Sequence, residues 1–274
     1  MHTIEERGFY LPAARGELFC VLRLPRGPVR GAILAYPPFA EELNKCRRMM
    51  ALAANAMAEQ GWAVLQVDLF GTGDAEGDFG EADWAGWLDD LACAREWLGA
   101  HHPGPQWAWG VRAGALLAAD ALRAGASHDG LLLWQPQLSG KTLLAQFLRL
   151  KIAASLGLGE GDRVDARAVR QALADGEAQE VAGYLLSPAM ARGLEVAVFD
   201  LPPVWSGPVR WLEVGRAIAP ASVTAIERLR ERGVAVDSAV VDGPSFWQTV
   251  EVELAPVLIQ ASAHFEGAGS CAAA

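Results

Sequence analysis

The stretch that most constrains this chain is Trp107 to Leu117, WAWGVRAGALL, a short apolar run broken by two glycines and continued by alanine-rich sequence. Its pattern reads as a buried strand, a tight turn and a helix, because Gly110 and Gly114 allow backbone angles and close approaches that other residues resist. Between the two glycines stands a single middle residue, flanked by Val111 and Ala113. Here that residue is Arg112, whose guanidinium stays protonated and cannot act as a nucleophile.

The remaining apolar runs fit the same plan. Phe9 to Leu11 and Leu18 to Leu24 flank AARGE and read as an edge hairpin. Gly31 to Tyr36, Trp62 to Leu69 and Gly130 to Trp134 are apolar enough for strands buried on both faces. Between them, Leu43 to Gln60 carries helical spacing up to Gly61, and Asp83 caps a helix expected to close at Gly99. After Leu138 the strand rhythm stops. Thr142 to Leu158 places Leu144, Leu148, Ile152 and Leu156 at four-residue spacing, and a more charged helical stretch is expected around Asp165 to Glu180. The rhythm resumes at Pro208 to Val214, Ser222 to Arg232 and Val234 to Val241. A helix from Phe246 to Ser262 and a frayed tail, EGAGSCAAA, are expected to follow.

Such alternation predicts an α/β fold, a mostly parallel sheet with helices on both faces. A core of residues 1–137 and 201–274 is expected, interrupted by a helical cap insertion at 138–200 that covers the strand ends. With 23 basic against 33 acidic residues and a net charge of -10, the chain lacks the basic balance of a nucleic-acid or anionic-membrane binder. Cys20, Cys46, Cys93 and Cys271 are far apart, without a C-x-x-C, which suits a reduced cytoplasmic protein. MHTIEERGFY lacks an export-signal core, and no run of 18 uncharged apolar residues predicts membrane insertion.

In this order the elements resemble the α/β-hydrolase superfamily over nearly the whole chain. There the turn is a nucleophile elbow, G-x-S-x-G, with serine where this chain has Arg112. YPPFAEELNKCRRM at 36–49, DLFGTGDAEGDFG at 68–80 and the arginine-bearing elbow resemble, more narrowly, the type 2 hydrolase associated with the exosortase A system. The resemblance implies a bacterial cytoplasmic protein encoded with exosortase, PEP-CTERM sorting and exopolysaccharide machinery, with possible protein partners from that pathway. It also implies an ester or thioester hydrolase class.

Carried over residue by residue, the triad is incomplete. None of the histidines at 2, 101, 102, 128 and 264 falls in the segment Val241 to Trp247, where the catalytic base belongs. Glu213 and Asp242 are the acids nearest the family positions. Since a triad acts as a unit, ordinary serine hydrolysis is not expected. The amides of Phe39 and Ala113 take the oxyanion-donor positions, with a helix N-terminus aimed at the same spot. Together with Arg112 they suit a small anionic or acyl ligand under the cap, with Glu41, Glu42 and Trp247 around it. Equally, Arg112 can be a structural ion pair with Glu41, Glu42, Glu213 or Asp242.

Other candidates are weaker. Cys46 lies in a helix without a histidine nearby, and Asp68, Asp74 and Asp78 do not match a calcium loop, so no metal or cofactor is expected. His101 and His102 sit at a helix end, and Trp205 can pack as readily as line a pocket. Three functions remain open: a ligand-binding pseudo-hydrolase, an enzyme using Glu41 or Asp242 to activate water, and a protein that docks a partner through its cap.

Overall fold

The computed structural model describes residues 4–155 and 165–264. The end of the expected cap helix, Leu156 to Leu158, lies outside them, as do His2, Cys271 and the expected tail. Strands β1 (Ile4–Ala13) and β2 (Gly16–Pro25) form the antiparallel edge hairpin, longer than the apolar residues alone suggest. Then β3 (Gly31–Tyr36), α1 (Glu41–Glu59), β4 (Trp62–Asp68), α2 (Trp84–His101), β5 (Gln106–Val111), α3 (Gly114–Arg123) and β6 (Gly130–Trp134) alternate. After the 138–200 segment come β9 (Val209–Val214), α7 (Pro220–Glu231), β10 (Val236–Val241) and α8 (Pro256–Ala263). One eight-stranded sheet has the order β1-β2-β4-β3-β5-β6-β9-β10, with β2 antiparallel to its neighbours and the later pairings parallel.

Strand alternation sorts the core into two layers. Ala32, Leu34 and Tyr36 of β3 join one apolar cluster with residues of α2, α3 and α7, whereas Ile33 and Ala35 join the other with α1 and α8. The second layer takes the large rings: Trp62, Trp107, Trp109 and Trp134 share a cluster with the small and flexible side chains Met49, Ala53, Ala54 and Met57 of α1 and with Leu258 of α8. Bulky strand residues thus meet a helix face thin enough to close over them at native packing density. Trp134 also spends its indole N–H on Ser262 Oγ at 2.7 Å, tying α8 to the sheet.

The segment between β6 and β9 holds α4 (Gly140–Ser155), α5 (Ala166–Ala174), a small hairpin of β7 (Gln179–Val181) and β8 (Tyr184–Leu186), and α6 (Pro188–Val196). A bridge between Ser139 and Val198 closes its base. From α4, the Phe147 ring meets Phe39, beyond the end of β3, at 5.2 Å; the Tyr184 ring meets Phe79 at 5.0 Å, and its hydroxyl accepts from Asn44 of α1 at 2.9 Å.

Three expectations need correction. Gly99 lies inside α2, which runs on to His101 because Leu98 accepts the His102 amide. The helix expected over 165–180 stops at Ala174, and the chain then turns back as the β7–β8 hairpin. Residues 246–255 are irregular and only Pro256–Ala263 is helical. Phe246 and Trp247 are both drawn into the core, and the following Thr249–Val252 is β-branched and alternating, poor material for a helix.

Beneath α2 and α3, Tyr36 and His128 share a buried hydrogen bond of 2.8 Å between Oη and Nε2. Burial, with a smaller push from Arg95, lowers the His128 pKa to about 4. Between about pH 6.5 and 4 the unfolded chain therefore holds a proton that the folded chain refuses, so stability falls with pH across that window, by at most about 3 kcal/mol. In urea titrations from pH 7 to pH 4.5, His128→Phe should show a shallower decline than the parent. Parallel curves would mean that His128 protonates freely in the folded state.

Candidate functional site

The site forms where β3, β5 and β6 end. Gly110 and Gly114 are there for space: a Cβ on Gly114 would stand 1.9 Å from the Tyr36 carbonyl, and one on Gly110 would stand 2.9 Å from the Ala115 backbone. Their absence lets α3 start hard against β3, forcing a sharp turn at Arg112, whose φ is +53°. Ala40 and Gln135, just beyond β3 and β6, also have positive φ, at +50° and +40°. Non-glycine residues pay roughly 1–3 kcal/mol for such angles, and strain of this kind gathers at functional sites.

Arg112 is 7% exposed, and all three of its guanidinium nitrogens are engaged. Nε donates to Glu42 at 3.1 and 3.2 Å, Nη2 donates to Glu42 Oε1 at 2.8 Å, and Nη1 donates to the Gln135 carbonyl at 3.2 Å. The Trp247 ring covers the guanidinium at 4.9 Å. Glu42 stands in the first turn of α1, where the helix dipole favours a carboxylate. The positive charge displayed by the elbow is thus neutralised within the protein.

Above this pair lies a cleft of about 310 Å³, lined by Phe39, Glu41, Glu42, Lys45, Phe147 and Trp247 among others. Two buried polar atoms on its lining side chains have no hydrogen-bond partner: Glu41 Oε2, an acceptor when ionised, and Trp247 Nε1, a donor. Burial raises the Glu41 carboxyl above its ordinary value, and neighbouring Glu42 adds to the shift. The aromatic wall is continuous, since Phe39 meets Trp87 and Phe79 as well as Phe147.

Of the residues proposed from sequence, Phe39, Glu41, Glu42, Arg112 and Trp247 gather here, and Ala113 is buried at the start of α3. The other two stand apart from the guanidinium. Glu213 is buried but accepts from the Trp211 indole at 2.9 Å and the Ala219 amide at 2.8 Å, while Asp242 is exposed after β10. Cys46 is fully buried, and burial pushes its thiol pKa up, which removes the thiolate a nucleophile needs. Asp68 is held by Arg47 at 2.9 Å and the Asp74 amide at 3.0 Å. Among the described residues no group of three or more His, Cys, Asp or Glu could hold a metal. Lys45 carried no signal in the sequence, whereas Phe147 lies beside the apolar stripe of α4 and Gln135 just past the end of a strand, where ligands of such sheets bind.

Solved structures with this architecture are numerous. Est1E from Butyrivibrio proteoclasticus, determined with ferulic acid bound, has a TM-score of 0.62 at 16% identity, over 93% of this chain and 96% of that one. A serine hydrolase without lid from Xanthomonas campestris gives 0.56 at 16%, over 94% and 92%, and a serine hydrolase homologue from Coxiella burnetii gives 0.55 at 15%, over 94% and 95%. The chain has the α/β-hydrolase fold. No protein-family model matches the sequence, and no curated protein matches it.

Within this fold, the pair at the elbow makes a strong thermodynamic demand. Glu42→Ala or Arg112→Met should each cost about 3–5 kcal/mol of folding stability, because each leaves one charge buried alone. The double variant should be more stable than the sum of the two losses by about 2 kcal/mol in denaturant titrations. Simple additivity would show that the two side chains do not sense one another.

Proposed function

We propose that this protein is a non-catalytic member of the α/β-hydrolase fold that binds an acyl ligand in the cleft above Arg112, with the 138–200 segment acting as its cap. The observation that carries the reading is the Arg112–Glu42 pair, which fills the nucleophile's place with a side chain that cannot attack and is already satisfied. A free anion finds no open cation at the elbow. A neutral acyl group suits the cleft better, since Trp247 Nε1 can donate to a carbonyl while Phe39 and Phe147 cover the chain.

The exosortase and PEP-CTERM context, a cytoplasmic location and a bacterial source belong to this proposal on the strength of the motifs at 36–49 and 68–80. Among the described residues no helix is long and apolar enough to cross a membrane. Partner docking through the cap draws support from the exposed Leu150, Leu185 and Val196, all in the inserted segment.

A second reading keeps catalysis and rests on Glu41. A partly buried carboxyl with a raised pKa, facing a cleft, has the makings of a general acid or base for thioester or ester cleavage.

A fluorophosphonate probe and a short-chain p-nitrophenyl ester test the main reading. The protein should neither label nor accelerate hydrolysis, and Arg112→Ser should stay within about tenfold of background because no histidine of the segment Val241 to Trp247 is there to take the serine proton. Native mass spectrometry of the purified protein should show a bound acyl species that Trp247→Ala releases. Rapid ester turnover abolished by Glu41→Gln would replace the binding reading with the second one.

A further inference from the structure

The sheet ends at β1, and the chain leaves that edge open. In an antiparallel pair, successive residues alternately bond to the neighbouring strand and turn their backbone groups away from it. Glu17 shows which residues of β1 do which. Its amide donates to Glu76 Oε2 at 2.9 Å and its carbonyl accepts from the Glu76 amide at 2.9 Å, so its backbone faces away from Pro12, the residue opposite it in β1. By alternation Leu11, Phe9 and Arg7 bond to β2, while Ile4, Glu6, Gly8 and Tyr10 turn their N–H and C=O groups outward, where no described strand pairs with them. The Pro12 carbonyl is already met by the Cys93 thiol at 3.5 Å.

Nothing described covers this edge: Glu5, Glu6, Arg7, Gly8 and Tyr10 are all exposed. A row of outward backbone groups is a template for another strand. Beside it, on the face turned to α2, lies an open groove of about 710 Å³ lined by Arg7, Phe9, Trp97, His101 and His102 among others. Its floor is aromatic, since the Phe9 and Trp97 rings meet at 4.6 Å and His101 stacks on Trp97 at 4.2 Å.

We infer that two copies of this chain join edge to edge through β1, antiparallel about a two-fold axis at Gly8, so that one sheet runs through both. The charges choose the register. Outward groups must meet outward groups, which places the axis on a residue rather than between two. An axis at Arg7 sets arginine against arginine, and one at Glu6 sets glutamate against glutamate; like charges directly opposite destabilise a sheet. An axis at Phe9 sets Glu6 against Pro12, which has no N–H to give. The axis at Gly8 opposes Arg7 to Phe9 and Glu6 to Tyr10, with about six main-chain hydrogen bonds shared by the Gly8 pair and the two Glu6–Tyr10 pairs. Each Arg7 then reaches the Phe9 ring of the other copy at the aromatic floor, a cation–π contact. Glu5 of the same copy, bonded to Arg7 at 2.7 Å, screens one arginine from the other. No residue of β1 lines the cleft above Arg112, so the dimer leaves that cleft open.

Sedimentation equilibrium of the full-length protein, from roughly 1 to 200 μM, tests this, since pairing through a single strand should give a dimer with a dissociation constant in the micromolar range. Gly8→Pro removes an outward N–H that the β1–β2 ladder does not use, and proline is tolerated at such edge positions. It should keep the parent's circular dichroism and weaken the dimer at least about a hundredfold. Gly8→Lys sets two ammonium groups against each other at the axis, and its Cβ meets only the Phe19 ring, at 3.4 Å. It should weaken the dimer at least about tenfold, and more at low salt. Should Gly8→Pro fail to fold, Gly8→Lys decides alone. The inference is overturned if the parent stays monomeric across the range, or if either variant, once folded, dimerises as tightly as the parent, which would place the contact elsewhere.

Discussion

Taking a guanidinium and a carboxylate out of water together is costly, and it is tolerated only when their mutual geometry is good and their remaining hydrogen-bonding capacity is met. Arg112 and Glu42 meet that condition with three contacts between them and a fourth to the Gln135 carbonyl. Three elements are fixed by it at once: the first turn of α1, the turn into α3 and the end of β6. The positive φ values at Ala40, Arg112 and Gln135 fall on these same junctions. The ion pair ties the three junctions together, alongside the close packing at Gly110 and Gly114 and the backbone hydrogen bonds from Arg112 to Trp134 and from Gln137 to Arg112.

Around that junction the sheet supplies rigidity. Its two layers are unlike: on one side Trp62, Trp107, Trp109 and Trp134 form a wall of large rings under α1 and α8, and on the other the strands present mostly smaller aliphatic residues, with Tyr36 and Trp211 among them, to α2 and α3. Because α1 is seated on the ring wall, its amino-terminal end cannot drift from the strand ends. That seating is what presents Glu42 inward while Leu43, Arg47 and Ala51 face a different cavity. One helix therefore borders two separate spaces.

The fold was largely legible because its central strands are continuous apolar runs that a parallel sheet requires, and because the glycine spacing around Arg112 admits few geometries. Legibility ended where tertiary contacts override local pattern. Phe246 and Trp247 look like the start of a helix until the core and Arg112 claim them, and Gln179 to Leu186 is too short for its alternation to stand out. In the site, four acids were equivalent by sequence. Choosing Glu42 needed facts that only the folded chain holds, namely that the Trp211 indole and Ala219 amide engage Glu213 and that Asp242 faces solvent.

The coupling of residues 42 and 112 also shapes how this chain can diverge. Either position changed alone passes through an intermediate with an unbalanced interior charge, so neither can wander freely while the other stands still. Descendants should keep the pair or lose it in linked steps. Such a pair works as a ratchet on the history of the protein as much as a clasp in its structure.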